Sequence, residues 1–181
     1  MIELEGVRLV VPPARRGEPD KVLLDGIDLA LDEHRVCLIG ANGSGKSTLL
    51  RILNGLRQPT GGVVRVAGHD VATQPHKVRQ LVGFIFTDPL AQLLMSTPVE
   101  DIELSLRSSI RNRKKRLEAA RRLLAEEGLD HVADQSIYDL SGGERQLVAL
   151  ASVLAVGPGI IVADEPTTLL DLRNRMLIRE K

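Results

Sequence analysis

The chain has 181 residues, 43% of them hydrophobic and 27% charged, and its 24 basic and 24 acidic side chains cancel to a net charge of zero. That length holds one core, or one core with a lobe, and the composition is ordinary for a globular domain. Balanced charge gives no basis for a nucleic-acid partner, and aromatic side chains limited to Phe84, Phe86 and Tyr138 leave no surface for stacking bases, so no nucleic acid is expected.

Residues 2–11 (IELEGVRLVV) alternate loosely and then turn apolar, which predicts a first strand. The polar, turn-rich stretch 12–21 predicts a loop, and 22–31 a second strand. Residues 35–39 form a short apolar run that predicts a strand ending at Gly40, with the lone cysteine, Cys37, buried in it. One cysteine permits no disulfide within the chain and fits a reducing compartment. A helix follows over 46–56, with Leu49, Leu50, Ile52, Leu53 and Leu56 on its buried side, then a turn at 59–62 and a β-branched strand over 62–67. Residues 81–86 (LVGFIF) predict another strand, and 87–98 an irregular loop. From Val99 to about Glu127 the pattern is helical and Gly128 closes it. Within it, 107–122 carries eight basic residues and the single acid Glu118, which fits a solvated helix face. A further helix spans 141–156, and 160–163 is a strand leading into Asp164 and Glu165. No apolar run approaches the roughly 20 residues of a membrane helix, so any membrane contact is expected to be peripheral or through a partner.

This order predicts one α/β core with β-rich material first, a phosphate-binding unit next, and a helical subdomain of about 97–157 inserted before the last core strand. The expectation for domains is a single one over 1–181, incomplete at its C-terminus.

Three motifs carry chemistry. Residues 40–48 read GANGSGKST, the complete G-x-x-x-x-G-K-S pattern of a P-loop, with an apolar run before it and a helix after it. Glycines let such a backbone curl and aim N–H groups at phosphate oxygens, and the helix N-terminus adds its dipole. Gly40, Asn42, Gly43, Ser44, Gly45, Lys46, Ser47 and Thr48 are therefore the candidate cradle. Lys46 is placed for the β- and γ-phosphates, Ser47 for Mg²⁺, and Thr48 for the α-phosphate or a helix cap. Residues 160–166 read IIVADEP. Asp164 at the end of an apolar strand suits Mg²⁺, and Glu165 suits the water that attacks the γ-phosphate. The P-loop alone predicts nucleotide binding, and with Asp164 and Glu165 it predicts hydrolysis, with ATP and Mg²⁺ as the implied pair.

The third motif, LSGGERQ at 140–146, resembles the signature sequence of ATP-binding cassette (ABC) ATPases, and its Gly142 lies 18 residues before Ile160. Ser141, Gly142 and Gly143 offer a hydroxyl and close backbone N–H groups at a helix start, a second anion-binding nest. The resemblance implies a P-loop NTPase core of ABC type. It further implies that two cassettes, identical or not, pack head to tail, each closing its signature over the ATP held by the other. Asp171 resembles the aspartate of the loop that crosses that interface. The segment VGFIFTDPLAQLLMSTPVEDI resembles energy-coupling-factor ATPases, which serve importers of cobalt, nickel and vitamins such as biotin. Implied partners are a second ATPase chain, a transmembrane coupling subunit and a substrate-binding membrane subunit, with the chain peripheral on the cytoplasmic face. The segment VGFIFTDPLAQLL resembles the loop that joins core to helical subdomain, and the resemblance implies that a groove near 87–98 and the helical subdomain passes motion to a coupling helix of the membrane subunit.

The chain departs from the family pattern in three places. The family carries a glutamine directly after the strand at 81–86, where this chain has Thr87; Gln92 lies five residues further on and is not assigned that role. An N-terminal aromatic that stacks on adenine has no counterpart near 9–12, where Val11 or Pro12 offers only apolar contact. A histidine beyond the catalytic glutamate has none either: His34, His69, His76 and His131 all precede Ile160, and the sequence runs 16 residues past Glu165. The binding and dimerising parts are thus clearer than the hydrolytic part. The alternatives are a soluble ABC ATPase of DNA repair or translation, and a non-catalytic, truncated cassette.

Overall fold

A computed structural model describes residues 1–13, 15 and 17–166; Asp171 lies outside the described residues. The chain divides into two compact units, Met1–Gly83 and Phe84–Lys181.

In the first unit, β1 (Ile2–Val11), β2 (Lys21–Leu31), β3 (Gly61–Val66) and β4 (His69–Asp70) form a sheet in the order β2-β1-β3-β4, with antiparallel pairing throughout. On β1 the buried positions are Leu4, Val7 and Leu9, which breaks strict alternation. The register shifts between Leu4 and Val7, so the extra residue of a bulge returns the apolar side chains to one face. Gly6 lies at that bulge with φ +55°. Gly62, at φ +78°, faces it so closely that a Cβ would come within 2.4 Å of the Gly6 carbonyl oxygen. Only glycine allows the two backbones to meet there.

Helix α1 (Lys46–Leu53) packs against β3 and buries Leu49, Ile52 and Leu53, an i, i+3, i+4 stripe. It stops earlier than the expected residue 56 because Asn54 caps its C-terminus and Gly55 takes φ +70°. The Asn54 amide then donates to Val82 O at 2.8 Å. Sequence patterning did not reveal β4 or α2 (Pro75–Leu81). Both depend on Asp70, whose Oδ1 accepts the N–H groups of Ala72 and Thr73 at 2.9 and 2.8 Å, a local turn that leads into α2. Those bonds, that of Thr73 first, hold the Asp70 carboxyl below its ordinary value.

Residues 35–39 correct an expectation. They form no strand among the described residues; Val36, Leu38 and Ile39 are 55%, 42% and 87% exposed, and Cys37 is exposed rather than buried. An apolar run becomes a buried strand only where a neighbouring strand takes up its hydrogen bonds, and no described residue pairs with this one.

In the second unit, α3 (Pro98–Ser105), α4 (Arg113–Glu126) and α5 (Gly142–Leu154) enclose a core that includes Val99, Ile102, Leu124, Ile137 and Val148. The single helical pattern expected from 99 to 127 is two helices. Asn112 starts the second by accepting Lys115 N–H at 3.1 Å, and the buried Arg116 pins the break. Its guanidinium donates to the carbonyls of Ile110 and Arg111, both at 2.9 Å, and pairs with Glu103. Gly128, at φ +72°, follows the end of α4 as expected. Strands β5 (Val82–Ile85) and β6 (Ile160–Ala163) form a two-stranded sheet.

Candidate functional site

The P-loop residues lie in the first unit. Gly40, Ala41, Asn42, Gly43 and Ser44 are exposed, whereas Gly45, Lys46, Ser47 and Thr48 are half-buried. Ser44 N–H closes a tight turn onto Ala41 O at 3.2 Å, and Gly43 takes φ +79°. Gly45 is the N-cap of α1, at φ +95°, with no side-chain cap. A Cβ at Gly45 would strike Leu24 Cδ2 at 2.8 Å and Leu23 O at 3.0 Å, so both conformation and space demand glycine. Thr48, one of the two roles for which was a helix cap, does not cap α1. Gly45 brings no side-chain acceptor to the start of α1, and the N–H groups of a helix's first turn point out of its end. Lys46 folds back into the loop, where its Nζ donates to Gly40 O at 2.8 Å and Ala41 O at 3.0 Å. A curled backbone, an uncapped helix end and a cation inside the curl together make an anion cradle.

The signature residues start α5 in the second unit. Ser141 is the N-cap and forms a full capping box with Glu144. Its Oγ accepts Glu144 N–H at 3.2 Å, while its N–H and hydroxyl donate to Glu144 Oε2 at 2.8 and 2.6 Å. The Ser141 hydroxyl, then the Ser141 N–H, and more weakly His131 draw the Glu144 carboxyl below its ordinary value. A depressed carboxyl stabilises the fold above its unfolded-state pKa, and that contribution is lost as pH falls through the folded-state value. Gly142 and Gly143 occupy the first turn, where backbone N–H groups have no intrahelical acceptor.

Asp164 and Glu165 follow β6. Asp164 is 4% exposed and its N–H donates to Ile85 O at 2.9 Å. Glu165 is exposed and has φ +51°, a left-handed conformation uncommon for a residue with a long side chain. Thr87 Oγ1 donates to Asp164 O at 2.8 Å.

Comparison with known proteins accounts for both halves of this arrangement. A family model described as "ABC transporter" matches residues 24–168. The chain belongs to the ABC transporter ATPase family. It is 42% identical over 158 residues to the biotin transport ATP-binding protein BioM of Rhizobium etli, a match over 87% of this chain and 70% of that protein. The energy-coupling factor transporter ATP-binding protein EcfA1 of Halalkalibacterium halodurans is 39% identical over 147 residues, 80% of this chain and 53% of the relative. Among solved structures, the dimeric post-hydrolysis state of the cassette MJ0796 bound to ADP and Pi superposes with a TM-score of 0.87 at 31% identity, over 99% of this chain and 80% of that one. The fold is thus the mixed α/β P-loop fold of an ABC ATPase, with an N-terminal sheet and a helical part, and the chain is related to importer ATPases of the energy-coupling-factor and biotin type.

As an ABC ATPase the chain is an ATP-hydrolysing enzyme, and its loop fits a triphosphate on the geometry above: glycine where a Cβ would clash, and an ammonium already within the curl. No group of three or more His, Cys, Asp or Glu side chains that could hold a metal ion occurs among the described residues. No described helix is long and apolar enough to cross a membrane.

Two residues of this ABC ATPase escaped the sequence reading. Gln92 bridges the residue just past β5 and α5: its Oε1 accepts Phe86 N–H at 3.3 Å and its Nε2 donates to Ala149 O at 2.7 Å. Asp101, 4% exposed, accepts Leu94 N–H at 2.7 Å, Met95 N–H at 3.1 Å and the Ser152 hydroxyl at 2.8 Å. Between them these side chains tie both parts of the 87–98 loop to the helix that begins with the signature. The only sequence signal was an acid in the first turn of a helix begun by Thr97 and Pro98. Asp101→Ala is expected to destabilise the protein by about 2 kcal/mol, because the buried Ser152 hydroxyl and two part-buried N–H groups lose their acceptor, while Asp101→Asn costs about 1 kcal/mol. Urea midpoints at constant slope check this; equal midpoints for Ala and Asn would show that the carboxyl oxygens do not hold the loop.

Proposed function

We propose that the chain is the MgATP-hydrolysing subunit of a membrane importer for a vitamin such as biotin or for a transition-metal ion, of the energy-coupling-factor branch. The observation that carries the importer assignment is the 42% identity to a biotin transport ATP-binding protein over 87% of the chain. A single ABC domain spans 1–181, with 97–157 as its helical subdomain.

The phosphates fall to Gly40, Asn42, Gly43, Ser44, Gly45, Lys46 and Thr48, and Mg²⁺ to Ser47 and Asp164. When bound, Mg²⁺ neutralises charge spread across the β- and γ-phosphates. Lys46 leaves the carbonyls of Gly40 and Ala41 for phosphate oxygens, exchanging two neutral acceptors for charged ones. Glu165 orients the attacking water and accepts its proton. Ser141, Gly142 and Gly143 close over the ATP held by a second ATPase chain in a head-to-tail pair; that a similar cassette is dimeric supports the pairing. The chain lies on the cytoplasmic face, where the 87–98 loop meets a transmembrane coupling subunit that works with a substrate-binding membrane subunit.

The test is expression with its chromosomal neighbours in cells lacking biotin and cobalt uptake. The expected result is that the chain sediments with membranes and that labelled biotin, Co²⁺ or Ni²⁺ enters in an ATP-dependent way. Sedimentation with ribosomes or with DNA, and no uptake, would refute the importer reading.

A further inference from the structure

Thr87 stands where the family pattern has glutamine, and its hydroxyl is committed to the Asp164 carbonyl at 2.8 Å. The Asp164 N–H is committed to Ile85 O at 2.9 Å. The backbone on both sides of Asp164 is therefore held by the segment that leaves β5, through residues only two apart. The anchored carbonyl belongs to the same rigid peptide plane as the nitrogen of Glu165. With that plane fixed, the φ of Glu165 sets where its side chain starts, and that φ is +51°. Left-handed backbone at a glutamate costs energy and persists where surrounding contacts impose it.

We propose that Thr87 is a positioning residue for hydrolysis: by holding the Asp164–Glu165 peptide, its hydroxyl keeps Glu165 in the left-handed conformation that presents the carboxyl to the attacking water. The proposal rests on Glu165 acting on that water. A glutamine in place of Thr87 would carry its polar group two bonds further from the backbone, whereas threonine ends at the carbonyl it already meets. The chain thus uses this position to support the catalytic glutamate from behind.

The experiment compares Thr87→Val, Thr87→Ser, Glu165→Gln and the double variant Thr87→Val with Glu165→Gln, in the full chain assembled with its partners. Steady-state and single-turnover ATP hydrolysis are measured beside nucleotide affinity and melting temperature. Thr87→Val, equal in size but without the hydroxyl, is expected to lower kcat about tenfold with KM and affinity within about twofold, and Thr87→Ser to recover most of the rate. In the Glu165→Gln background, Thr87→Val is expected to cause no further loss, because a residue that acts through Glu165 has nothing left to position. Parental kcat in Thr87→Val overturns the proposal, as does an equal loss with and without Glu165, or a loss of rate in step with affinity and melting temperature. Parental kcat in Glu165→Gln instead refutes the reading of Glu165 itself. If Thr87→Val does not fold, Thr87→Cys, close in size and only a weak donor, carries the same expectations.

Discussion

Lys46→Ala lowers ATP affinity on the order of a hundredfold, or about 3 kcal/mol, while the melting temperature of the nucleotide-free protein hardly changes. The two effects separate because Lys46 has different partners in the two states. Without ligand its ammonium meets the carbonyls of Gly40 and Ala41, which are exposed and can turn to water when the side chain is cut back. With ligand the same ammonium meets phosphate oxygens, and no other cation is bonded within the loop among the described residues. Calorimetric titration with MgATP gives the affinity. A thermal scan gives a second reading, since a ligand at a hundred times its Kd stabilises the folded state by about 2.7 kcal/mol and the variant should lose most of that. Equal affinity in variant and parent would show that 40–48 is not the phosphate site.

The P-loop could be recognised from the sequence because its chemistry is local. Glycine at 45 is required by φ +95° and by a clash with Leu23 and Leu24 of β2, yet the G-x-x-x-x-G-K-S pattern that marks it is written within the single run 40–47. The capping box at Ser141 and Glu144 is likewise written within four residues. The errors fall where partners are distant. The run at 35–39 has every local mark of a strand, yet a strand exists only if another segment takes its N–H and C=O groups. The break between α3 and α4 is hidden because 107–112 has no proline or glycine; it depends on Arg116 reaching back to two carbonyls and across to Glu103.

Much of the candidate site followed the same division. Motif spacing singled out Asp164 and Glu165 as candidates, but not what holds them. Thr87 looked like a shortened glutamine, and the role proposed for it rests on one bond to a residue 77 positions away. Gln92 looked like a misplaced copy of the missing glutamine, whereas it serves as a brace whose two ends lie on Phe86 and Ala149. Asp101 had the plain appearance of a helix-start acid, and its three bonds to Leu94, Met95 and Ser152 depend on packing that no local pattern encodes. The candidate nucleotide-binding residues are marked by type, whereas those that support them are specified by where the chain returns.

Glu165→Gln leaves ATP affinity within about twofold and lowers kcat by on the order of a hundredfold or more. The substitution keeps length and shape, so the left-handed backbone at φ +51° bears the same strain in both proteins. What it removes is the ability to take a proton from water, and that ability is needed only once the γ-phosphate is under attack. Loss should therefore appear in kcat and leave KM nearly unchanged, the mark of an interaction made in the transition state. A further consequence separates this from general damage. If hydrolysis is what reopens the head-to-tail pair, the variant should accumulate as an ATP-bound dimer, seen as a doubled mass by light scattering in MgATP, whereas the parent returns to its starting mass as ATP is spent. Glu165→Gly should lose as much rate but also relieve the left-handed strain, because only glycine lacks the Cβ that causes it, so its dimer is expected to differ in stability. Turnover within about threefold of the parent in Glu165→Gln would place the proton acceptor elsewhere, since a general base contributes a hundredfold or more.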